Sequence, residues 1–224
     1  MRATVVMLAA VTVLLAGCTA VTGGKVVAAP TLGHAPPPLT GSALPGLLLG
    51  AEAVSSVLGA AGMRIVDSSD AMYTNSAGPD GCLVWAEAQQ VNYQGSGWTD
   101  VQLQKLQDRP DNPDHIAYQA VVAFPDGLGA HTFYAGQVTG WSRCDDRRAD
   151  LHDAGDRPHY WSLSKATDNN GILTIVRSEE ENPGWSCQHA LTAKNNIVVD
   201  VNACAYNVGD RGVQLAERIA GKIV

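Results

Sequence analysis

The chain is poor in features that point to common functions. Its 224 residues include 15 Lys and Arg against 22 Asp and Glu. This acidic balance, without a basic patch carrying interleaved aromatics, predicts no nucleic-acid partner. After residue 17, no stretch is long and apolar enough for a transmembrane helix. CxxC, HxxxH, GxSxG, HExxH and phosphate-loop motifs are all missing, so we expect no enzymatic activity, no metal and no cofactor.

The amino terminus has the plan of an export signal. Arg2 precedes an apolar run that ends in Leu-Ala-Gly-Cys18, a sequence that resembles the bacterial lipobox. The alternatives are a simple signal peptide or an uncleaved anchor. We predict that residues 1–17 are removed and that Cys18 is lipidated, which changes the formal charge from −7 to −8 because one Arg is lost. The lipid anchor would hold the protein at the cell membrane, on its extracytoplasmic face.

Residues 18–42 are rich in Pro, Gly and Ala. Such a segment buries too little apolar area to order itself, so it is expected to be a flexible tether between the lipid and the folded part. Residues 43–224 then form a single domain, which is long enough for a proper hydrophobic core.

The strongest local signal is a β-hairpin across residues 184–206. Asn195 and Asn196 tolerate the positive φ of a tight turn. If they form the loop, facing residues have numbers that add up to 391, as in Lys194 with Ile197. Cys187 and Cys204 obey the same relation and fall on a non-hydrogen-bonded site, where a disulfide fits.

Cysteine count supports a second disulfide. With Cys18 assigned to lipid, four cysteines remain, an even number in an exported chain. The hairpin register pairs Cys187 with Cys204, which leaves Cys82 with Cys144. A zinc site is the competing interpretation, but the cysteine and histidine spacings do not support it.

Hydrophobic periodicity predicts an α+β fold with a mainly antiparallel β-sheet packed by helices. Besides the hairpin, we expect helices at 44–61, 125–142 and 209–224 and strands at 63–66, 83–93, 98–106, 116–124, 160–166 and 172–178. The last two strands would form a second hairpin around Asp168–Gly171. Residues 145–157 are expected to be irregular.

Four residues are candidates for ligand binding. The register places His189 one diagonal step from Asp200, on the hairpin face expected to be wetter, where the carboxylate can orient the imidazole. The alternative is a polar cross-strand network without a ligand. Trp98 and Trp185 each follow a glycine at a strand end and are candidates to line a cleft and stack on a ligand, whereas most tryptophans should be core anchors.

The acidic segment at residues 145–156 carries carboxylates that a divalent cation could bind. Asp145, Asp146 and Asp150 are oxygen donors, but their spacing does not match an EF-hand. Arg147 and Arg148 partly neutralise them, so a solvated loop is expected.

The order of features resembles a known family. Trp141 to Cys144, then GWSCQHALTAKNNIVVDVNACAY, then a final amphipathic helix are similar to the PknH-like extracellular sensor domains and their stand-alone mycobacterial lipoprotein relatives. The resemblance spans residues 43–224. It implies a periplasmic α+β domain with two disulfides, a large cleft for an unidentified ligand and no catalytic residue. Here a lipid signal would replace the kinase and its transmembrane helix.

The expected function is therefore that of a lipid-anchored, extracytoplasmic binding domain. Its ligand would be an unidentified small molecule or an envelope lipid or glycan held in the cleft. The alternative is a protein-interaction module that modulates a sensor kinase or an envelope complex, with a protein as its partner.

Overall fold

The fold is built on one nine-stranded antiparallel sheet. The computed structural model describes residues 36–74, 88–152 and 158–224. The strand order is β1-β2-β3-β9-β8-β7-β5-β4, and the short β6 pairs with β7. The strands are β1 (Arg64–Ser69), β2 (Asp100–Gln107), β3 (His115–Ala123), β4 (Arg148–His152), β5 (Pro158–Leu163), β6 (Thr167–Asn169), β7 (Ile172–Glu179), β8 (Trp185–Lys194) and β9 (Ile197–Tyr206).

Helices cover both faces of the middle of this sheet. They are α1 (Leu44–Leu47), α2 (Ala51–Leu58), α3 (Gln90–Tyr93), α4 (Gly127–Trp141) and α5 (Arg211–Ala220). Residues of α1, α2 and α5 join the hydrophobic cluster on one face, and residues of α3 and α4 join the cluster on the other. The prediction of an α+β domain with a mainly antiparallel sheet packed by helices is confirmed.

The braced hairpin is confirmed with its register. Strands β8 and β9 pair Lys194 with Ile197 and Cys187 with Cys204, as the turn predicted. Asn195 takes a positive φ of 51°. The two cysteine Cα atoms are 4.0 Å apart and their sulfurs are bonded, as expected for a close, non-hydrogen-bonded pair.

Only one of the two cysteines of the second predicted disulfide, Cys144, lies within the described ranges. Cys187–Cys204 is the one disulfide whose two cysteines both lie within the described ranges. Cys144 is also disulfide-bonded, but Cys82 lies outside those ranges, so the pairing of these two residues stays a prediction. The lipidation of Cys18 lies outside the described residues as well.

The prediction that one face of the hairpin is wetter is wrong. Ala190, Val201 and Ala203 meet the core as expected, but His189 and Asp200 on the other face are each only 2% exposed. Helix α4, which lies far away in the sequence, packs across β8 and β9 on this face. The central hairpin is therefore buried on both sides.

The first predicted helix is broken in two. Leu48 adopts an extended backbone between α1 and α2. The cause is the buried side chain of Gln119 on β3, whose Oε1 accepts a hydrogen bond from Leu49 N at 2.9 Å and whose Nε2 donates to Leu49 O at 2.7 Å. These bonds satisfy the Leu49 peptide groups outside the helical pattern. Gly59 ends α2 with a φ of 69°, as expected of a glycine stop.

Other elements differ from the periodicity analysis in detail. The strand expected at 83–93 is wrong where it is described, because Gln90–Tyr93 forms α3 and Gln89 makes only an isolated bridge with Tyr73; residues 83–87 lie outside the described ranges. Arg148–His152 forms β4 in a segment expected to be irregular. The second hairpin is confirmed, with the additional short strand β6 beside its Asn170–Gly171 turn.

Within the described ranges, no single helix is both long and apolar enough to cross a membrane. Two consecutive helical segments, 41–47 and 51–58, reach the necessary length and apolar composition only when they are taken together, and they are bent by 49° relative to each other.

Candidate functional site

A buried carboxylate lies at the centre of the candidate site. Asp200 Oδ1 is 2.6 Å from His189 Nε2. Its Oδ2 accepts hydrogen bonds from the phenol of Tyr93 at 2.8 Å and from the backbone N–H of Ala88 at 2.9 Å. A buried acid needs this many partners, since leaving a charge unpaired in a protein interior is very costly.

Helix α4 packs over this network on the face of the sheet that carries His189 and Asp200. The indole of Trp141 lies 4.4 Å from the imidazole of His189, and the ring of Phe133 stacks on Tyr93 at 4.2 Å. Burial raises the pKa of the Tyr93 phenol well above 10.0, and the nearby charge of Asp200 and the hydrogen bond to it raise it further. The phenol therefore stays neutral at physiological pH and donates a hydrogen bond to the Asp200 carboxylate.

The network holds α3 against the sheet. Asp200 binds the backbone just before this helix, at Ala88, and the side chain at its last residue, Tyr93. A helix of four residues has little stability of its own. Its position is therefore stabilised by these two contacts, by the stacking of Tyr93 on Phe133 and by backbone hydrogen bonds to Tyr73, such as that from Gln90 N to Tyr73 O at 2.9 Å.

The outer side of α3 lines an open recess beside Trp98. The volume of the recess is about 530 Å³, within the range of small-molecule sites. The half-buried indole of Trp98 offers a ring face for stacking. The other lining residues are Thr74, Gln90, Val91, Gln94 and Gly95. The recess thus combines one aromatic ring with amide and hydroxyl groups that can donate and accept hydrogen bonds.

The structure groups three of the four predicted residues and separates the fourth. His189 and Asp200 lie behind α3, and Trp98 lies in front of it. Trp185 pairs with Tyr206 at the opposite end of the hairpin, and their rings meet edge to face at 5.4 Å. Ten-residue strands separate the two tryptophans by roughly 30 Å, so they cannot line one recess.

Sequence reasoning missed the residues that connect the pair to the recess. Tyr93 falls in a stretch whose alternation suggested a strand, and no local signal places its phenol against Asp200. Trp141 is buried, with 2% exposure, but its contact with His189 follows only from the packing of α4 on the sheet.

These features define a disulfide-braced α+β domain with a buried polar network behind a surface recess. The chain belongs to the PknH-like extracellular domain family, whose model matches residues 39–222. The resemblance seen in the sequence is thereby confirmed, and membership of this family indicates an extracytoplasmic location.

Known relatives support the assignment. The chain is 29% identical to the serine/threonine-protein kinase PknH of Mycobacterium bovis over 191 residues, which are 84% of this chain and 32% of the kinase. The kinase of the same name from Mycobacterium tuberculosis is also 29% identical, with 30% of its length covered. The chain thus spans about a third of these kinases.

A solved structure shows the same fold. The crystal structure of the extracellular domain of PknH from Mycobacterium tuberculosis matches with a TM-score of 0.77 and 28% identity. The match covers 83% of this chain and 96% of that domain. The similarity therefore concerns an extracellular domain and not a kinase catalytic domain.

Proposed function

We propose that the protein is a lipid-anchored, non-enzymatic binding domain of the extracytoplasmic side that holds a small molecule or an envelope component. The ligand would sit in the recess beside Trp98, with its apolar or ring face on the indole. The anchor would be the lipidated Cys18, supported by the Leu-Ala-Gly-Cys sequence. The family match to an extracellular domain supports the location and the absence of catalysis.

The observation that carries the proposal is the way α3 is held. A buried carboxylate is an expensive means of fixing one turn of helix, because a hydrophobic contact of similar size would carry no desolvation cost. What the carboxylate provides is a fixed position for the helical turn that carries Gln90 and precedes Gln94, next to Trp98. Fixed polar groups around an apolar surface are typical of ligand sites.

The test is a thermal-shift screen of the full chain against envelope lipids and glycans. A ligand that raises the midpoint of unfolding should lose this effect in Trp98→Ala. Trp185→Ala is the matched control, since this tryptophan is also half-buried but lies at the far end of the sheet. Equal loss of the effect in both variants would contradict the site, and failure of both compound classes would count against the function.

A second candidate function is a protein-interaction module that modulates a sensor kinase or an envelope complex. Strand β1 favours it, because it forms one edge of the sheet and leaves Ile65 and Val66 47% and 48% exposed. An edge strand can pair with a strand of a partner. Crosslinking in the native membrane separates the two functions. A dominant protein partner trapped at β1, together with no effect of small molecules on the midpoint of unfolding, favours the protein-interaction module.

A further inference from the structure

We propose that His159, Glu179 and Glu181 form a binding site for a divalent transition-metal cation of the zinc type. One donor atom from each residue lies within 4.8 Å of the donor atoms of the other two. Around zinc, ligand atoms at about 2.1 Å from the metal lie roughly 3.4 Å from one another. Closing the site therefore needs side-chain movements on the order of 1 Å, without movement of the strands.

The backbone places these three side chains on one face of the sheet. Strands β5 and β7 pair Trp161 with Glu179, and Glu180 N donates to Tyr160 O at 2.8 Å. The same register, continued by two residues, sets His159 opposite Glu181. Because side chains alternate between the faces of a sheet, all three donor side chains project to the same side.

The charges on the two faces are compensated differently. Glu180, the middle of three consecutive glutamates, turns to the opposite face and forms a bidentate ion pair with Arg148 at 2.8 and 2.9 Å. Within the described ranges, Glu179 has only His159 as a partner, at 3.4 Å. Glu181 accepts only from the backbone N–H of Tyr160, at 3.1 Å.

The cation nearest to the site along this strand does not neutralise it. Arg177 lies on the same face, but its guanidinium is over the ring of Trp161, 5.8 Å from the centroid. No ion pair joins Arg177 to Glu179 or Glu181 in the described structure. Among the described residues, the two carboxylates and one imidazole therefore leave a negative charge that a divalent cation would offset.

The ligand chemistry selects the class of metal. One imidazole nitrogen and two carboxylate oxygens suit zinc and its neighbours, whereas calcium prefers six to eight oxygens and magnesium keeps most of its water. The hydrogen bond from Tyr160 N orients the Glu181 carboxylate, as outer contacts do in metal sites. The half-exposed position of His159 leaves room for water as a further ligand.

The test is calorimetric titration of the full chain, purified without a histidine tag, with zinc chloride at neutral pH. We expect saturable binding of one zinc per chain, weakened at least about tenfold in His159→Ala and in Glu181→Gln. Glu180→Gln is the matched control, because it removes the same charge one residue away on the opposite face, and it should bind as the unchanged protein does.

Three results would overturn the proposal. They are the lack of saturable heat up to millimolar zinc, an equal loss of affinity in Glu180→Gln and Glu181→Gln, and binding that survives His159→Ala unchanged. Far-UV circular dichroism of each variant verifies that the fold is retained. The site lies at the end of the sheet away from Trp98, so its failure would leave the proposed recess untouched.

Discussion

Asp200 carries a buried charge in the middle of the sheet, and its partners explain why the fold tolerates it. His189, Tyr93 and the Ala88 N–H together occupy both carboxylate oxygens. Removing a hydrogen-bond partner leaves a buried polar group unsatisfied, which typically costs about 1–3 kcal/mol and more for a charged group. The network is therefore needed for the stability of the fold, and it supports the recess by positioning α3.

The Tyr93 phenol gives this network a measurable pH dependence. Its raised pKa means that its contribution to the free energy of unfolding is fully present below the ordinary value of 10.0 and is lost as the pH rises through the folded-state value. Tyr93→Phe should lower the stability by about 1.5–3 kcal/mol at pH 7. The difference from the unchanged protein should shrink at about pH 11, as urea unfolding at the two pH values would show.

Tyr206→Phe is the control for this experiment. Its ring is 46% exposed and its phenol donates only to Asn182 at 3.1 Å, so its effect on stability should be small at both pH values. A Tyr93→Phe difference that stays constant between pH 7 and pH 11 would contradict the assigned role of the phenol.

Helix α5 depends on a close approach to β8. A Cβ atom on Gly212 would lie 2.6 Å from the carbonyl oxygen of Gln188. The Gln188 side chain also accepts from Val213 N at 3.1 Å, which holds the first turn of the helix. The glycine is thus required by packing at this point.

Gly212→Ala should therefore lower the free energy of unfolding by about 1–3 kcal/mol, since the helix must move away from the strand. Gly136→Ala in α4 is the matched control, because no atom beyond its chain neighbours and the nearby backbone of its own helix lies within 4 Å of the added Cβ. That variant should raise stability by up to about 1 kcal/mol through helix propensity. Urea unfolding of both variants measures the two effects, and equal changes in the same direction would contradict the packing argument.

Elements set by local signals could be predicted, and elements set by distant contacts could not. The register of β8 and β9 follows from one turn and one cysteine pair, all within 23 residues, and it is correct throughout. The break between α1 and α2 is made by Gln119, 70 residues from Leu49. The burial of His189 and Asp200 is likewise due to α4, whose position no pattern in the hairpin encodes.

At the scale of the whole molecule, the turn of the β8–β9 hairpin forms hydrogen bonds with residues near both ends of the domain. Asn195 Nδ2 donates to Pro37 O and to Val224 O, each at 3.0 Å. The side chain of Asn196 accepts a hydrogen bond from Leu39 N through Oδ1 at 2.7 Å and donates one to Leu39 O through Nδ2 at 2.9 Å. The recess beside Trp98 lies at this end of the sheet, and the His159 cluster lies at the other. The two proposed sites can therefore be altered independently.

We infer that the Asp200 carboxylate fixes α3 as the wall of the recess. Hydrogen exchange followed by mass spectrometry over the full chain, comparing the unchanged protein with Asp200→Asn, tests it directly. We expect faster exchange confined to residues 88–95, with the pairing of β3, β8 and β9 still protected. Unchanged protection of residues 88–95, or a loss of protection spread evenly over the sheet, would contradict it.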